Sequence, residues 1–173
     1  MQEFEIKFNP IGFVKSSLKK PLELPPKDNP KDFQKWKLKA KKYREKIKNS
    51  CCQIVIYPQY QEMLEGIHEF SHIIITYWPH LIQNKKCPCK IRPMGIPHIE
   101  PKGIFATCSP IRPNSILIST VKLLNIENNI LTVLGFEALH KSPVLDIKPY
   151  MPYYHHASNF NIPNWVKYIE QEL

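Results

Sequence analysis

Glycine is scarce: 5 residues in 173, and none opens a Gly-rich loop of the kind that cradles nucleotide phosphates. The usual doubly wound route to nucleotide cofactors is therefore disfavoured. No run of about 18 apolar residues occurs, so no membrane-spanning helix is expected. The first residues, M-Q-E-F-E-I-K-F, carry acid and no long apolar stretch, so no secretory signal is expected in them. Five cysteines, an odd number without extracellular cues, fit a reducing cytosol better than a disulfide framework. No Ser, His and Asp stand in a linked pattern that would define a nucleophilic triad. Cys87-Pro88-Cys89 is spaced more tightly than structural zinc pairs and has no matching second pair, so no metal is expected. His155-His156 are adjacent and point apart in extended chain, which argues against a ligand pair there too.

Positive charge and proline are what the chain has in excess. The net charge is +9, and residues 1–50 hold 14 Lys/Arg against 6 Asp/Glu, while the other 123 hold 10 against 9. The basicity is thus local. Leu18 to Pro30 carries Pro21, Pro25, Pro26 and Pro30 and reads as an extended loop. Asn29-Pro30 supplies an N-cap and a first-turn proline. Phe33, Trp36, Ala40, Tyr43 and Ile47 then recur at helical spacing with lysines around them. The segment predicts a helix, inserted at about 29–49 in a single domain of residues 1–173, with one packed side and one positive side. Two readings of the positive side stand: a well-solvated surface, or a site for a phosphate backbone contacted by Lys35, Lys39, Lys42 and Lys46.

From residue 51 onward short β-rich runs dominate, with no internal repeat. They are Cys51–Tyr57, His72–Trp78, Lys90–Arg92, Gly103–Thr107, Ile116–Ile126, Ile130–Gly135 and Pro143–Lys148. Asn128-Asn129 tolerates positive φ and suits a hairpin turn. A short helix over Tyr60–Phe70 with Met63, Leu64 and Ile67 on one side, and a final helix after Pro163 carrying Trp165, Ile169 and Leu173, complete the reading. The expected class is mainly β with peripheral helices, an antiparallel or mixed sheet closed on itself.

One stretch stands out, G-I-F-A-T-C-S-P-I-R-P-N-S-I-L-I-S, Gly103 to Ser119. Two prolines cannot sit in a core strand, so Ser109 to Asn114 is expected to be a rigid turn exposing Arg112 and Asn114. It serves either as a stiff surface loop or as a ligand contact. Ser71-His72 opens a buried strand, where the histidine either caps local backbone or faces a ligand. Asp146 and Lys148 share one strand face, as an ion pair or as contacts to a polar ligand.

Four segments together carry a resemblance: I-G-F-V-K-S, G-I-H-E-F-S-H-I-I-I-T-Y-W, the Gly103–Ser119 stretch, and E-A-L-H-K-S-P-V-L-D-I-K-P-Y. They are similar to the TsaA-like (TrmO) family of S-adenosylmethionine-dependent tRNA methyltransferases. It covers about residues 10–18 and 51–153. The resemblance implies a small non-Rossmann β-barrel that dimerises and methylates N6 of threonylcarbamoyladenosine beside the anticodon. By the same resemblance, S-adenosylmethionine would be held by Leu24, Pro25, Pro26, Ser71, His72, Cys108, Arg112, Asn114, Ile118, His140, Lys141, Ser142 and Pro143. His72 would be the candidate base, and the basic helix would hold tRNA.

The chain departs from the family pattern at named positions. Cys108 stands where an arginine is usual in A-T-R-S-P. Ser115 and Leu117 replace residues of P-N-P-I-G, and L-D-G-T-P appears as Leu139-His140-Lys141-Ser142-Pro143. Pro58-Gln59-Tyr60 replaces P-E-Y. An arginine's planar donor fork and a carboxylate acceptor are both lost. Those changes leave two further readings: a related methyltransferase with a small-molecule or other acceptor, and a non-catalytic cofactor-binding module.

Overall fold

A computed structural model describes residues 6–26, 30–82 and 86–172. Six strands close into an antiparallel barrel in the order β1-β2-β7-β6-β3-β8. They are β1 (Gly12–Lys15), β2 (Cys51–Ile56), β3 (His72–Tyr77), β6 (Leu117–Glu127), β7 (Ile130–Leu134) and β8 (Pro143–Pro149). Two short strands, β4 (Lys90–Ile91) and β5 (Lys102–Gly103), pair separately. The helices are α1 (Pro30–Lys48), α2 (Pro152–His155) and α3 (Asn164–Glu172).

Alternation explains the closure. In β2 and β3 every second residue is buried, so Cys52, Ile54, Ile56, Ile73, Ile75 and Tyr77 all point into one interior. Val14, Val121, Leu131, Val133, Phe136 and Val144 fill it from the other strands and the turn after β7. Each fully buried Ile, Leu or Phe contributes about 1.5–3 kcal/mol. A one-residue slip in any strand would turn this set outward, which is what fixes the register. At Gly12 a Cβ would lie 2.2 Å from Val55 O, so β1 and β2 approach too closely for a side chain.

α1 lies outside the barrel. Trp36 and Ala40 are buried, and Phe33, Tyr43 and Ile47 half-buried, as the apolar stripe requires. Its indole, Trp36 Nε1, donates to Glu23 O at 2.8 Å, and Lys37 bonds Glu172 of α3. The expected N-cap Asn29 lies outside the described residues, as does Leu173.

Several local expectations need correction. Tyr60–Phe70 is two 3-10 turns, Pro58–Leu64 and Ile67–Glu69, divided by Gly66 at φ 79°. Met63 is 76% exposed rather than packed, because the tighter winding rotates it away from Leu64 and Ile67. Gly103–Thr107 is strand only at Lys102–Gly103 and then a 3-10 turn over Ile104–Ala106. β3 ends at Tyr77, one residue before Trp78, and β4 at Ile91, before Arg92.

Candidate functional site

The barrel has two rims, and β3 runs between them. At one rim Tyr77 pairs with Leu117 of β6 and with Val144 of β8, and Trp78 N donates to Pro143 O at 2.9 Å. The proline-rich turn leads into β6 and the Leu139–Pro143 turn leads into β8. Both therefore arrive at the same end of β3. The turn at 139–143 is fastened by backbone bonds: His140 N to Leu18 O at 2.7 Å, Lys141 N to Val14 O at 2.7 Å, and Val14 N to Ser142 O at 3.0 Å. Lys141 holds φ at 67°, the left-handed region that a glycine would occupy at less cost.

The polar groups of this rim are tied to one another. Ser142 is 1% exposed, with Oγ 3.4 Å from His80 Nδ1. His140 Nδ1 accepts a weak bond from Ser16 N at 3.4 Å. Burial first, and then the neighbouring His140, hold His80 below the ordinary imidazole value. Glu137 accepts from Tyr77 Oη at 3.0 Å and from Ser119 Oγ at 2.6 Å. Sequence reasoning misses this acid as a site residue, although it lies within the segment E-A-L-H-K-S-P, because nothing in its spacing links it to Tyr77, sixty residues away. The available signal is its place three residues before His140 on the same turn.

Arg112 is not displayed as expected. Its guanidinium donates to Thr107 O at 2.7 Å and to Ile104 O at 3.4 Å, and lies 5.7 Å from the centre of the Phe105 ring. The arginine braces its own loop from inside, leaving Asn114 and Cys108 exposed and Ser115 at φ 35°. Ile118 points away from the barrel, 68% exposed. In the loop after β1, Leu24 is 77% exposed, whereas Pro25 is buried. A Cβ on Gly95 would lie 2.3 Å from Pro25 Cγ.

Ser71 and His72 stand at the other rim. His72 is exposed, its Nδ1 is 2.9 Å from Ser71 Oγ, and its carbonyl accepts Tyr150 N at 3.0 Å. Five residue steps separate His72 from Tyr77, roughly 17 Å at ~3.3 Å per residue. Within one chain, Ser71-His72 and His140–Pro143 are therefore held apart. Asp146 and Lys148 form an ion pair at 2.6 Å on the outer face of β8, both well exposed. Such pairs contribute little.

A cavity of about 600 Å³ borders neither turn at the Tyr77 end. It lies between Gln61, Glu62, Leu64, Glu65 and His68 of the 3-10 segment and Ile126 and Asn128 of the β6–β7 hairpin. A second, about 330 Å³, is lined by Lys15, Ser16, Cys51, Cys52, Gln53 and Thr132. Cys52 is buried, and burial, then Cys51, then Glu137 push its thiol up to about 12. The lysine-rich face of α1 is open: Lys35, Lys39, Lys42 and Lys46 are exposed, Lys39 pairing with Glu23 at 2.8 Å and Lys35 lying 3.8 Å from Asp32. No helix among the described residues is long and apolar enough to cross a membrane.

The fold is a mainly-β closed barrel with two convergent turns at one end and a basic helix outside it. Residues 38–156 match the family of the tRNA-methyltransferase O N-terminal domain, and the chain belongs to that family. It is 33% identical over 143 residues to an S-adenosyl-L-methionine-binding protein of Archaeoglobus fulgidus, covering 83% of this chain and 88% of that one. It is 33% identical over 108 residues to the human tRNA (adenine(37)-N6)-methyltransferase, covering 62% of this chain and 24% of the human protein. The crystal structure of TrmO from Pseudomonas aeruginosa superposes with a TM-score of 0.66 at 25% identity, over 91% of this chain. This chain spans 61% of the length of that solved TrmO chain.

Proposed function

We propose that the protein is an S-adenosylmethionine-dependent methyltransferase whose acceptor is N6 of the threonylcarbamoyladenosine next to the tRNA anticodon. The observation that carries this reading is the meeting of the 109–119 and 139–143 segments at the Tyr77 end of β3, in a chain of this family. Bound S-adenosylmethionine supplies an electrophilic sulfonium methyl.

The candidate residues suit such a molecule. The exposed apolar side chains of Leu24 and Ile118 match a purine and its ribose edge. Glu137, the acid on the turn, matches a cationic sulfonium or ammonium. In this reading exposed Asn114 and Cys108 line the cofactor together with the His140–Pro143 turn, in which Ser142 itself is buried, and with Pro25 and Pro26 of the loop after β1. Orientation of an acceptor nitrogen in line with the methyl provides most of the acceleration in a displacement of this kind. The acceptor N–H must shed a proton as its nitrogen gains the methyl. His72, whose Nδ1 is occupied by Ser71 Oγ, has Nε2 left to receive it.

His72 can serve a ligand at the opposite rim only across a subunit boundary, so the working species in this reading is a homodimer, each subunit offering Ser71-His72 to the other's Tyr77 end. The chain is one domain in which α1 is an inserted basic helix that contacts the anticodon arm. Free cysteines suit a cytoplasmic setting. Isothermal calorimetry with S-adenosylmethionine tests the cofactor half of the reading: binding supports it, and no heat or thermal shift at millimolar cofactor favours a non-catalytic barrel. A metabolite methylated in the absence of RNA would instead mark a small-molecule acceptor, the reading that His140-Lys141 motivates.

A further inference from the structure

We infer that the aromatic cluster after β8, exposed Tyr153, Tyr154 and His155 seated on half-buried Tyr150, is a stacking platform for unpaired RNA bases beside His72. The inference rests on the RNA-acceptor reading and adds to it a second contact surface, distinct from α1.

Four observations support it. Tyr153 is 90% exposed and Tyr154 71%, although they meet edge to face with ring centres 5.1 Å apart. Tyr150 and His155 stack at 5.8 Å and 26°, and His155 Nδ1 lies 3.0 Å from Met151 O, so the rings are pre-positioned and not loose. Tyr150 N is bonded to His72 O, which ties the cluster to the histidine at the head of β3. From Ile147 to Ile169 no acid occurs, while Lys148, His155, His156 and Lys167 do. Large flat faces on a stretch of chain that contributes cations and no carboxylate suit nucleobases flanked by phosphates. A surface for paired RNA would need cations but no open rings. Unpaired bases of loops are recognised by stacking on such side chains, and enzymes that act on a base need it out of its stack. Each stacked base is sensitive to alanine substitution and tolerant of sequence.

The test uses the full chain and a fluorescent anticodon stem-loop RNA, with a blunt duplex of the same stem as control. Tyr153→Ala/Tyr154→Ala is expected to weaken stem-loop binding at least about tenfold with duplex binding unchanged. The plot of log affinity against log salt keeps its slope, because no cation is removed. Tyr153→Phe/Tyr154→Phe keeps both ring faces and is expected to bind as the parent does. Tyr153→Ala alone serves as the milder variant if the double one melts early. Equal stem-loop binding by the parent and the alanine variant overturns the inference while leaving the RNA-acceptor reading intact. Loss of the parent's oligomeric state on alanine substitution, by light scattering, also overturns it and assigns the cluster to contact between copies. A parent protein that binds no stem-loop at all sinks both.

Discussion

Tyr77 Oη donates to Glu137 Oε1 at 3.0 Å, while the Tyr77 ring is 2% exposed and meets Phe136 edge-on at 5.0 Å. The bond joins the end of β3 to the turn that leads to His140. Burial, reinforced by Glu137, pushes the phenol's ionisation well above its ordinary range.

Removing either partner has unequal consequences. Glu137→Ala takes the carboxylate acceptor from a buried hydroxyl, a loss of about 1–3 kcal/mol. Tyr77→Phe leaves an exposed carboxylate that water can serve, at about 1 kcal/mol. Urea midpoints should therefore fall further for Glu137→Ala. The reverse order would mean that the carboxylate, not the phenol, is the sheltered group.

Much of the barrel is legible in the sequence because β2, β3 and β7 are short apolar runs rich in β-branched residues. The Asn128-Asn129 turn, with Asn128 at φ 55°, joins β6 to β7 as the residues suggest. The departures have local causes. A proline-bounded turn ordinarily exposes its residues, yet carbonyls of its own loop and the Phe105 face take the Arg112 guanidinium. Tyr60–Phe70 has a helix-like composition, but Gly66 breaks it into 3-10 turns. Chain order does not reveal which end of β3 each site residue occupies. Ser71 and His72 adjoin a strand whose other end carries the second half of the candidate site. Nor does any local pattern pair Glu137 with Tyr77, since that meeting depends on how the barrel closes.

Gly95 and Pro25 offer a way to move the loop at 24–26 without touching it. Gly95 has φ 68°, and Met94 before it has φ 50°. Gly95→Ala adds a carbon 2.3 Å from Pro25 Cγ and places an L residue in the left-handed region, at about 1–2 kcal/mol for the backbone alone. The expected result is a melting temperature lower by several degrees and weaker S-adenosylmethionine binding by calorimetry. Unchanged cofactor affinity in the folded variant would remove Leu24, Pro25 and Pro26 from the site.

Charge on α1 is separable from fold. Lys35, Lys39, Lys42 and Lys46 are exposed, so replacing all four with Gln should keep the thermal transition within a few degrees. RNA affinity should fall, and the slope of log affinity against log salt should flatten by roughly 0.7–0.9 for each phosphate that the helix no longer neutralises. An unchanged slope would show that the helix is only a solvated face.

His80 makes the Tyr77 end sensitive to acid. Its folded value is depressed by burial and by His140, so the neutral ring is the form that the fold favours. The stabilisation is complete above the ordinary imidazole value and is lost as pH falls from there through the lower folded value. Relative to His80→Asn, the parent should lose melting temperature as pH falls from about 7.5 to about 5.5, a window spanning the ordinary imidazole value, and His140→Asn should lessen that loss. A His80→Asn variant with the parent's pH profile would contradict the assignment.

The central claim is a methyl passed from S-adenosylmethionine to an anticodon-loop adenosine. Its most direct measurement is nucleoside mass spectrometry of tRNA, bearing threonylcarbamoyladenosine, incubated with the protein and isotopically labelled S-adenosylmethionine. The account predicts one labelled methyl on that nucleoside, abolished when S-adenosylmethionine is withheld and reduced by His72→Ala. A tRNA that returns unlabelled, from a protein that binds both S-adenosylmethionine and the RNA, would contradict it.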